Sequence, residues 1–399
     1  MSENSKDSTV YDFNAVIDRK SKYATKYLEM EGAFGTNDLI PLWIADMDFK
    51  VANPITNSIR DYAEHAIYGY IYRPKSYYEE IRKWLLGKYD WKVDVNSLIF
   101  SPGVMCSMNF LIQELSKPGD YIIIQQPVYY PFANKILEND RRVAVNALKK
   151  DDSGKFVMDY EDLERIIIEE KPPLLILCNP HNPVGRVWTK EELIKLGDIC
   201  VKHDVRIISD EIHSDLVFKA NKHIPIASIN LEFEKNTITL MAPSKTFNLA
   251  GLQTSYAICK NPIDKAILEK ALGKIDLKRN NSFSLVATES AYRDGENWLN
   301  QLLSYLEENI EYVISYIEEN LPQLKMTKPE ATYLLWIDFS SLGLDDQALS
   351  KLMIEKAKVA LSKGFDFGIG GEGYLRMNVA CPRSTLKKAL KQIEDSLNI

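Results

Sequence analysis

No apolar stretch in this sequence approaches the roughly 20 residues that a bilayer-spanning helix needs, so no membrane span is expected. Positive charge is also short. The 49 Lys and Arg against 56 Asp and Glu leave a net charge of −7, which gives no electrostatic basis for binding DNA, RNA or an anionic membrane. The five cysteines, Cys106, Cys178, Cys200, Cys259 and Cys381, show no CxxC spacing, and several lie inside apolar runs. They read as reduced core thiols, which excludes a disulfide framework and a zinc site. Five histidines without HExxH or HxH spacing give no reason to expect a metal centre. The opening segment, MSENSKDSTVYDFNAVIDRKSKYATKY, is polar with mixed charges and has no apolar core of the signal-peptide kind, so a cytoplasmic location is expected.

The chain does carry a regular alternation. Its 399 residues, 45% apolar and 26% charged, suit a globular protein long enough for two domains. From about residue 97, short apolar runs (SLIF, YIII, LLILC, RIIS, TITLM) alternate with amphipathic stretches. In TKEELIKLGDICVKH, Leu193, Leu196, Ile199 and Cys200 fall on one helical face, and Thr189 with Glu192 spells a capping-box start. Continuous apolar strands separated by amphipathic helices predict an α/β fold with a mostly parallel sheet covered on both faces. After about residue 290 a long helical pattern is followed by ATYLLWIDF, GYLRMNVACP and a terminal helix. The expected division is a large domain over 51–288 and a small α+β domain over 289–399, against which an N-terminal segment, 1–50, packs.

In open parallel sheets ligands sit beyond the carboxyl ends of the strands. The residues just past each apolar run are therefore the place to look for a site. After SLIF comes Ser101-Pro102-Gly103-Val104-Met105, a glycine turn opening a helix whose free N–H groups suit an anion. After YIII come Tyr129 and Tyr130; after LLILC, Asn179-Pro180-His181-Asn182; after RIIS, Asp210 and His213; after TITLM, Ser244 and Lys245. Each has an ordinary reading: Asp210 as a cap, Asn182 as a turn former, Tyr129 as core, His213 as a hydrogen-bonded structural residue, Lys245 as a surface charge. The set is harder to dismiss, because an anion nest, an amide, a carboxylate, an amine and an aromatic plate share one edge. Carbanion chemistry beside an amine, with pyridoxal phosphate (PLP) as electron sink, needs one group of each kind.

The motifs PLWIADMDF (41–49), NPHNPVGRVWTKEEL (179–193), SDEIHSDL (209–216), APSKTFNLAGLQ (242–253) and YLRMNVACPR (374–383), with YDFNAVIDR near the start, span nearly the whole chain. In these the sequence resembles fold-type I PLP enzymes of the aminotransferase class I/II superfamily, and more narrowly its cystathionine β-lyase type of C–S lyase. The resemblance implies an aspartate-aminotransferase-like fold and PLP as cofactor. It makes Lys245 the Schiff-base lysine, Asp210 the partner of the pyridine nitrogen, Asn182 the donor to the phenolic oxygen and Tyr129 the stacking ring. Gly103, Val104, Met105 and Ser244 would hold the phosphate, with His213 beside the cofactor. Arg376 would grip the α-carboxylate of an amino-acid substrate, with Trp43, Ala45 and Asn182 also at the substrate. Tyr70, or Tyr68 as the competing choice, would reach the phosphate of a neighbouring subunit, which implies a homodimer with shared active sites.

Two positions depart from the aminotransferase pattern. Gln253 stands where many aminotransferases carry a phosphate-binding arginine, and His213 stands where they usually have tyrosine. Both departures, like WIADMDF, are shared with the C–S lyase type. The reaction expected is α,β-elimination of cystathionine or a related cysteine S-conjugate. Lys245 would take the Cα proton at a pKa near neutral, and Tyr129 or Tyr130 would assist the leaving group. The alternatives are a class I/II aminotransferase, which needs the same lysine, aspartate and arginine, and a regulatory protein that keeps the cofactor fold.

Overall fold

The computed structural model describes residues 9–398. Its centre is a sheet of seven strands: β1 (Leu98–Ser101), β2 (Tyr121–Ile124), β3 (Arg142–Val145), β4 (Leu174–Cys178), β5 (Arg206–Asp210), β6 (Thr237–Met241) and β7 (Ser255–Cys259). They lie in the order β1-β7-β6-β5-β4-β2-β3. Only β7 runs antiparallel, and it does so to both neighbours, so β1 points the same way as the remaining strands. The carboxyl ends of β1, β2, β4, β5 and β6 therefore meet at one edge.

Alternation along β4 explains why the run LLILC is apolar throughout. Leu175 and Leu177 join one core with Leu193 and Leu196, whereas Leu174 and Ile176 join another with Leu111 and Ile112. Both faces are thus covered, as parallel sheets require. Helix α1 (Val104–Leu115) packs on one side, and α2 (Lys190–Lys202) on the other. The capping box at Thr189 and Glu192 forms, with Leu193, Leu196 and Cys200 fully buried and Ile199 half-buried at the rim of that face. A short helix, α3 (Pro243–Thr246), begins directly after β6. All five cysteines are free, four of them buried. Among the described residues no helix is long and apolar enough to cross a membrane.

Beyond the 25-residue α4 (Glu296–Asn320) lies a second sheet, formed by β8 (Lys325–Met326), β9 (Leu334–Asp338), β10 (Ser362–Lys363) and β11 (Tyr374–Asn378). Its order is β8-β9-β11-β10, and every pair is antiparallel. Near the N-terminus, Ile40–Pro41 pairs in parallel with Val359–Ala360, and the Asn378 N–H donates to the Leu42 carbonyl at 2.9 Å. Residues 43–49 then cross from the small sheet to the large one. Asn378 Nδ2 donates to the carbonyls of Ile44 and Asp46, both at 2.6 Å, while Asn248 Nδ2 donates to those of Met47 and Phe49 at 3.0 and 3.2 Å.

A second bridge joins the two sheets at the loop before β11. The Val128 N–H donates to the Phe367 carbonyl at 3.0 Å, and Gly368 sits at φ +91 against Gln126. The left-handed φ is what favours glycine here, since the nearest atoms are the end of the movable Gln126 side chain.

Candidate active site

At the carboxyl edge of the large sheet the loops enclose a cavity of about 220 Å³. One wall comes from the start of α1. Gly103 is its N-cap, with Val104 and Met105 opening the first turn, and the first N–H groups of a helix have no acceptor inside it. A Cβ built on Gly103 would meet no atom within 4 Å, so the backbone here borders open space.

Lys245 projects from α3, one residue after Ser244, and both line the cavity. Its Nζ donates to the Ala45 carbonyl at 2.6 Å. Burial lowers the amine to about 8; Asp46 pulls the other way, Arg376 adds to the lowering, and Asp210 opposes it. A lysine on the short helix that follows a buried strand is thereby made a usable base near neutral pH.

Asp210 closes β5, directly opposite Cys178 in the sheet register. Its Oδ1 accepts the Ile212 N–H at 3.1 Å. Burial nonetheless pushes the carboxyl up to about 7, against the pull of that bond and of Lys245. A carboxyl so placed favours a cationic partner across the cavity. His213 lines the same cavity; burial pushes its imidazole down to about 3, so it is neutral, and its Nδ1 has no hydrogen-bond partner.

Arg376, on β11, reaches the site from the small sheet. Its Nη1 donates to Asn182 Oδ1 at 3.1 Å and its Nη2 to the Trp43 carbonyl at 2.8 Å and Ser362 Oγ at 3.0 Å. Its Nε is buried without a partner, and burial lowers the guanidinium to about 10. The Tyr129 ring lines the cavity, with its phenol pushed up to about 12 by burial and therefore protonated. Tyr130 lies beside it, 5.7 Å between ring centroids, and is 43% exposed.

The structure thus brings Gly103, Val104, Met105, Tyr129, Asn182, Asp210, His213, Ser244, Lys245 and Ala45 around one cavity. Trp43 takes part through its carbonyl, while its indole N–H donates to Lys26 O at 2.9 Å. Tyr70 is not brought there within one chain. It is 97% exposed, with the Arg279 guanidinium 5.4 Å from its ring. Tyr68 instead donates to the Ala63 carbonyl at 2.9 Å. Gln253 lines the cavity, and Lys245 is the one Lys or Arg among the described lining residues.

Several neighbours carry no sequence signal of their own. Tyr333 Oη donates to the same Ala45 carbonyl as Lys245, at 3.0 Å. Asp215, inside the SDEIHSDL motif, accepts from Thr246 Oγ1 at 2.7 Å, from Trp84 Nε1 at 2.9 Å and from the Tyr89 hydroxyl. That carboxylate braces the residue next to Lys245, a role visible only once helices distant in sequence are packed. Taken together, the amine, the buried carboxyl, the open helix start and the unpartnered Arg376 Nε fit pyridoxal phosphate with an amino-acid substrate.

Residues 38–393 match the aminotransferase class I and II family. The chain is 39% identical to the cystathionine beta-lyase PatB of Bacillus subtilis (strain 168) over 386 residues, covering 97% of this chain and 100% of that protein. Among solved structures, a PLP-bound protein from Clostridium difficile 630, named provisionally as an aminotransferase, is 55% identical with a TM-score of 0.96, covering 98% of this chain and 100% of that one. The PLP-bound C–S lyase from Staphylococcus hominis is 34% identical with a TM-score of 0.91, covering 98% and 99% respectively.

Proposed function

Because the chain belongs to the aminotransferase class I and II family, we propose that it catalyses α,β-elimination of cysteine S-conjugates, cystathionine foremost. Its cofactor is pyridoxal phosphate and its class is carbon–sulfur lyase. The observation that carries the reading is the end-to-end likeness to a cystathionine beta-lyase, 39% identical over 97% of this chain. Gln253 beside Lys245 in the cavity supports it, since the position carries no arginine to hold a phosphate. In the net reaction a conjugate and water give pyruvate, ammonia and a thiol, homocysteine when the substrate is cystathionine.

Bound PLP supplies an electron sink that stabilises negative charge at the substrate Cα and lets a β leaving group depart. Asp210 would face its ring nitrogen, Asn182 its phenolic oxygen and Tyr129 its face, with the Gly103–Met105 turn and Ser244 at its phosphate. Lys245 would hold the cofactor and accept the Cα proton; a pKa of about 8 leaves part of it unprotonated at neutral pH. Arg376 holds the substrate α-carboxylate through two parallel N–H donors, and the neutral Tyr129 or Tyr130 hydroxyl is available to the departing sulfur.

Arg376→Lys removes the fork that matches a carboxylate. Losing one charge-assisted hydrogen bond should raise KM about 10- to 100-fold with a smaller change in kcat. An unchanged KM would remove Arg376 from carboxylate binding.

The active unit proposed is a homodimer in which Tyr70 completes the neighbour's phosphate site. Its near-complete exposure, beside exposed Ile67 and Tyr72, supports this. Sedimentation at the 45.7 kDa of one chain would contradict it. A cytoplasmic location, and domains over 51–288 and 289–399 with 1–50 packed on the latter, complete the proposal. Cell fractionation tests the first, and limited proteolysis with cuts near residues 50 and 288 the second. The function itself is tested by a panel of S-conjugates scored for pyruvate and thiol together. Equal amounts of both are expected, and consumption of the conjugate that needs an added 2-oxo acid and yields a new amino acid without thiol or pyruvate would favour the aminotransferase alternative.

A further inference from the structure

The two basic groups of the site, Lys245 on α3 and Arg376 on β11, come from different parts of the chain, yet both lean on one strap, residues 43–49. Lys245 donates to the Ala45 carbonyl at 2.6 Å and Arg376 to the Trp43 carbonyl at 2.8 Å. Whatever fixes that strap fixes the distance between the proton acceptor and the carboxylate grip.

A four-charge cluster grips the strap from the N-terminal side. Arg19 meets Asp46 through Nη2 at 2.5 Å and Asp48 through Nη1 at 2.5 Å. Lys26, with no exposed surface, reaches Asp48 Oδ2 at 3.1 Å and Asp46 Oδ1 at 3.4 Å, and its carbonyl accepts the Trp43 indole N–H. Burying ion pairs seldom stabilises a fold more than apolar packing of the same volume, so stability alone is a poor reason for this cluster. A planar guanidinium shared between two carboxylates does supply geometry. The carboxylates it holds flank Met47, and Asp46 comes directly after Ala45. Asp46 also acts on Lys245 by charge.

We propose that Arg19 and Lys26 are positioning residues for the reaction: through Asp46 and Asp48 they hold the strap 43–49, and so set Lys245 and Arg376 relative to one another. The proposal rests on the roles given above to those two residues. Because one strap serves both, loosening it moves kcat and KM together, unlike a change at Arg376, which acts mainly on KM.

The test uses the full-length, cofactor-loaded enzyme with Arg19→Met, Lys26→Met and Arg19→Lys. Hydrogen exchange by mass spectrometry over 43–49 is compared with exchange over 174–178 in the large sheet. In Arg19→Met, exchange over 43–49 should rise about tenfold or more with 174–178 unchanged, and kcat/KM should fall about tenfold or more through both constants; Arg19→Lys should lie between. Unchanged exchange over 43–49, an equal rise over 174–178, or wild-type kcat/KM in a folded Arg19→Met would overturn the proposal. Should Arg19→Met not fold, Lys26→Met is read by the same criteria, and failure of both to fold assigns the cluster to folding and also overturns it. If wild-type enzyme releases no pyruvate, the lyase reading fails while the exchange data still judge the strap.

Discussion

Lys245→Ala should leave a folded protein that neither links pyridoxal phosphate covalently nor turns over, with kcat reduced at least about 10³-fold. The loss is this large because one amine serves two tasks, anchoring the cofactor and moving the Cα proton, and no other amine lines the cavity among the described residues. Packing should change little, since the lysine's own bond is a single donation to the Ala45 carbonyl, and Tyr333 still donates to that oxygen. The measurements are visible absorbance of the cofactor-treated variant, steady-state kcat and far-ultraviolet circular dichroism. A yellow, active variant would return Lys245 to the status of an ordinary lysine. The pH profile of wild type carries the same claim. An amine must be unprotonated to accept a proton, and burial sets this one at about 8. Turnover should therefore rise with pH up to about that value and fall below it.

Asp210→Asn should reduce kcat about 10²- to 10³-fold while cofactor content stays near that of wild type. The amide keeps the shape and can still accept from the Ile212 N–H, but it carries no negative charge with which to hold a proton on the cofactor ring. Cofactor content and kcat are measured on the same sample, and a variant with wild-type kcat contradicts the role. A second signature appears in the protein stripped of cofactor. Burial pushes the Asp210 carboxyl from 3.8 to about 7. Between those values the folded chain holds a proton that the unfolded chain has released, so this group makes stability fall as pH rises through that window. Asp210→Asn removes that contribution. The melting temperature of the variant should therefore decline less than that of wild type between pH 5 and pH 7.

The strand ends are legible in the sequence because buried parallel strands read as continuous apolar runs, and where a run stops the sheet edge begins. Lys245, Asp210, Asn182 and the Gly103 turn could be read off as the residues just past each run, and these line the cavity. Strand β7 was not legible as antiparallel, because SYAIC is buried on both faces like its neighbours, and burial does not record direction. Residues that act from a distance were not legible either. Asp215 meets Thr246 directly, but Trp84 and Tyr89 join it only once the helix Lys75–Tyr89 packs there, and Tyr333 meets the Ala45 carbonyl from almost 300 positions away. Arg19 and Lys26 carry charges of the kind that normally face solvent. Only the folded chain shows them turned onto Asp46 and Asp48. Tyr70 marks a different limit: its exposure is a property of one chain, and its proposed role needs two.

The central claim is that the bond broken is carbon–sulfur and that no second substrate is needed. It is tested most directly by incubating the cofactor-loaded enzyme with cystathionine and no 2-oxo acid, measuring pyruvate and homocysteine against enzyme concentration. Both should be released linearly and in equal amounts over many turnovers. Release of neither, with cystathionine consumed only to one equivalent per active site and consumption restarted by adding a 2-oxo acid, would show an aminotransferase and contradict it.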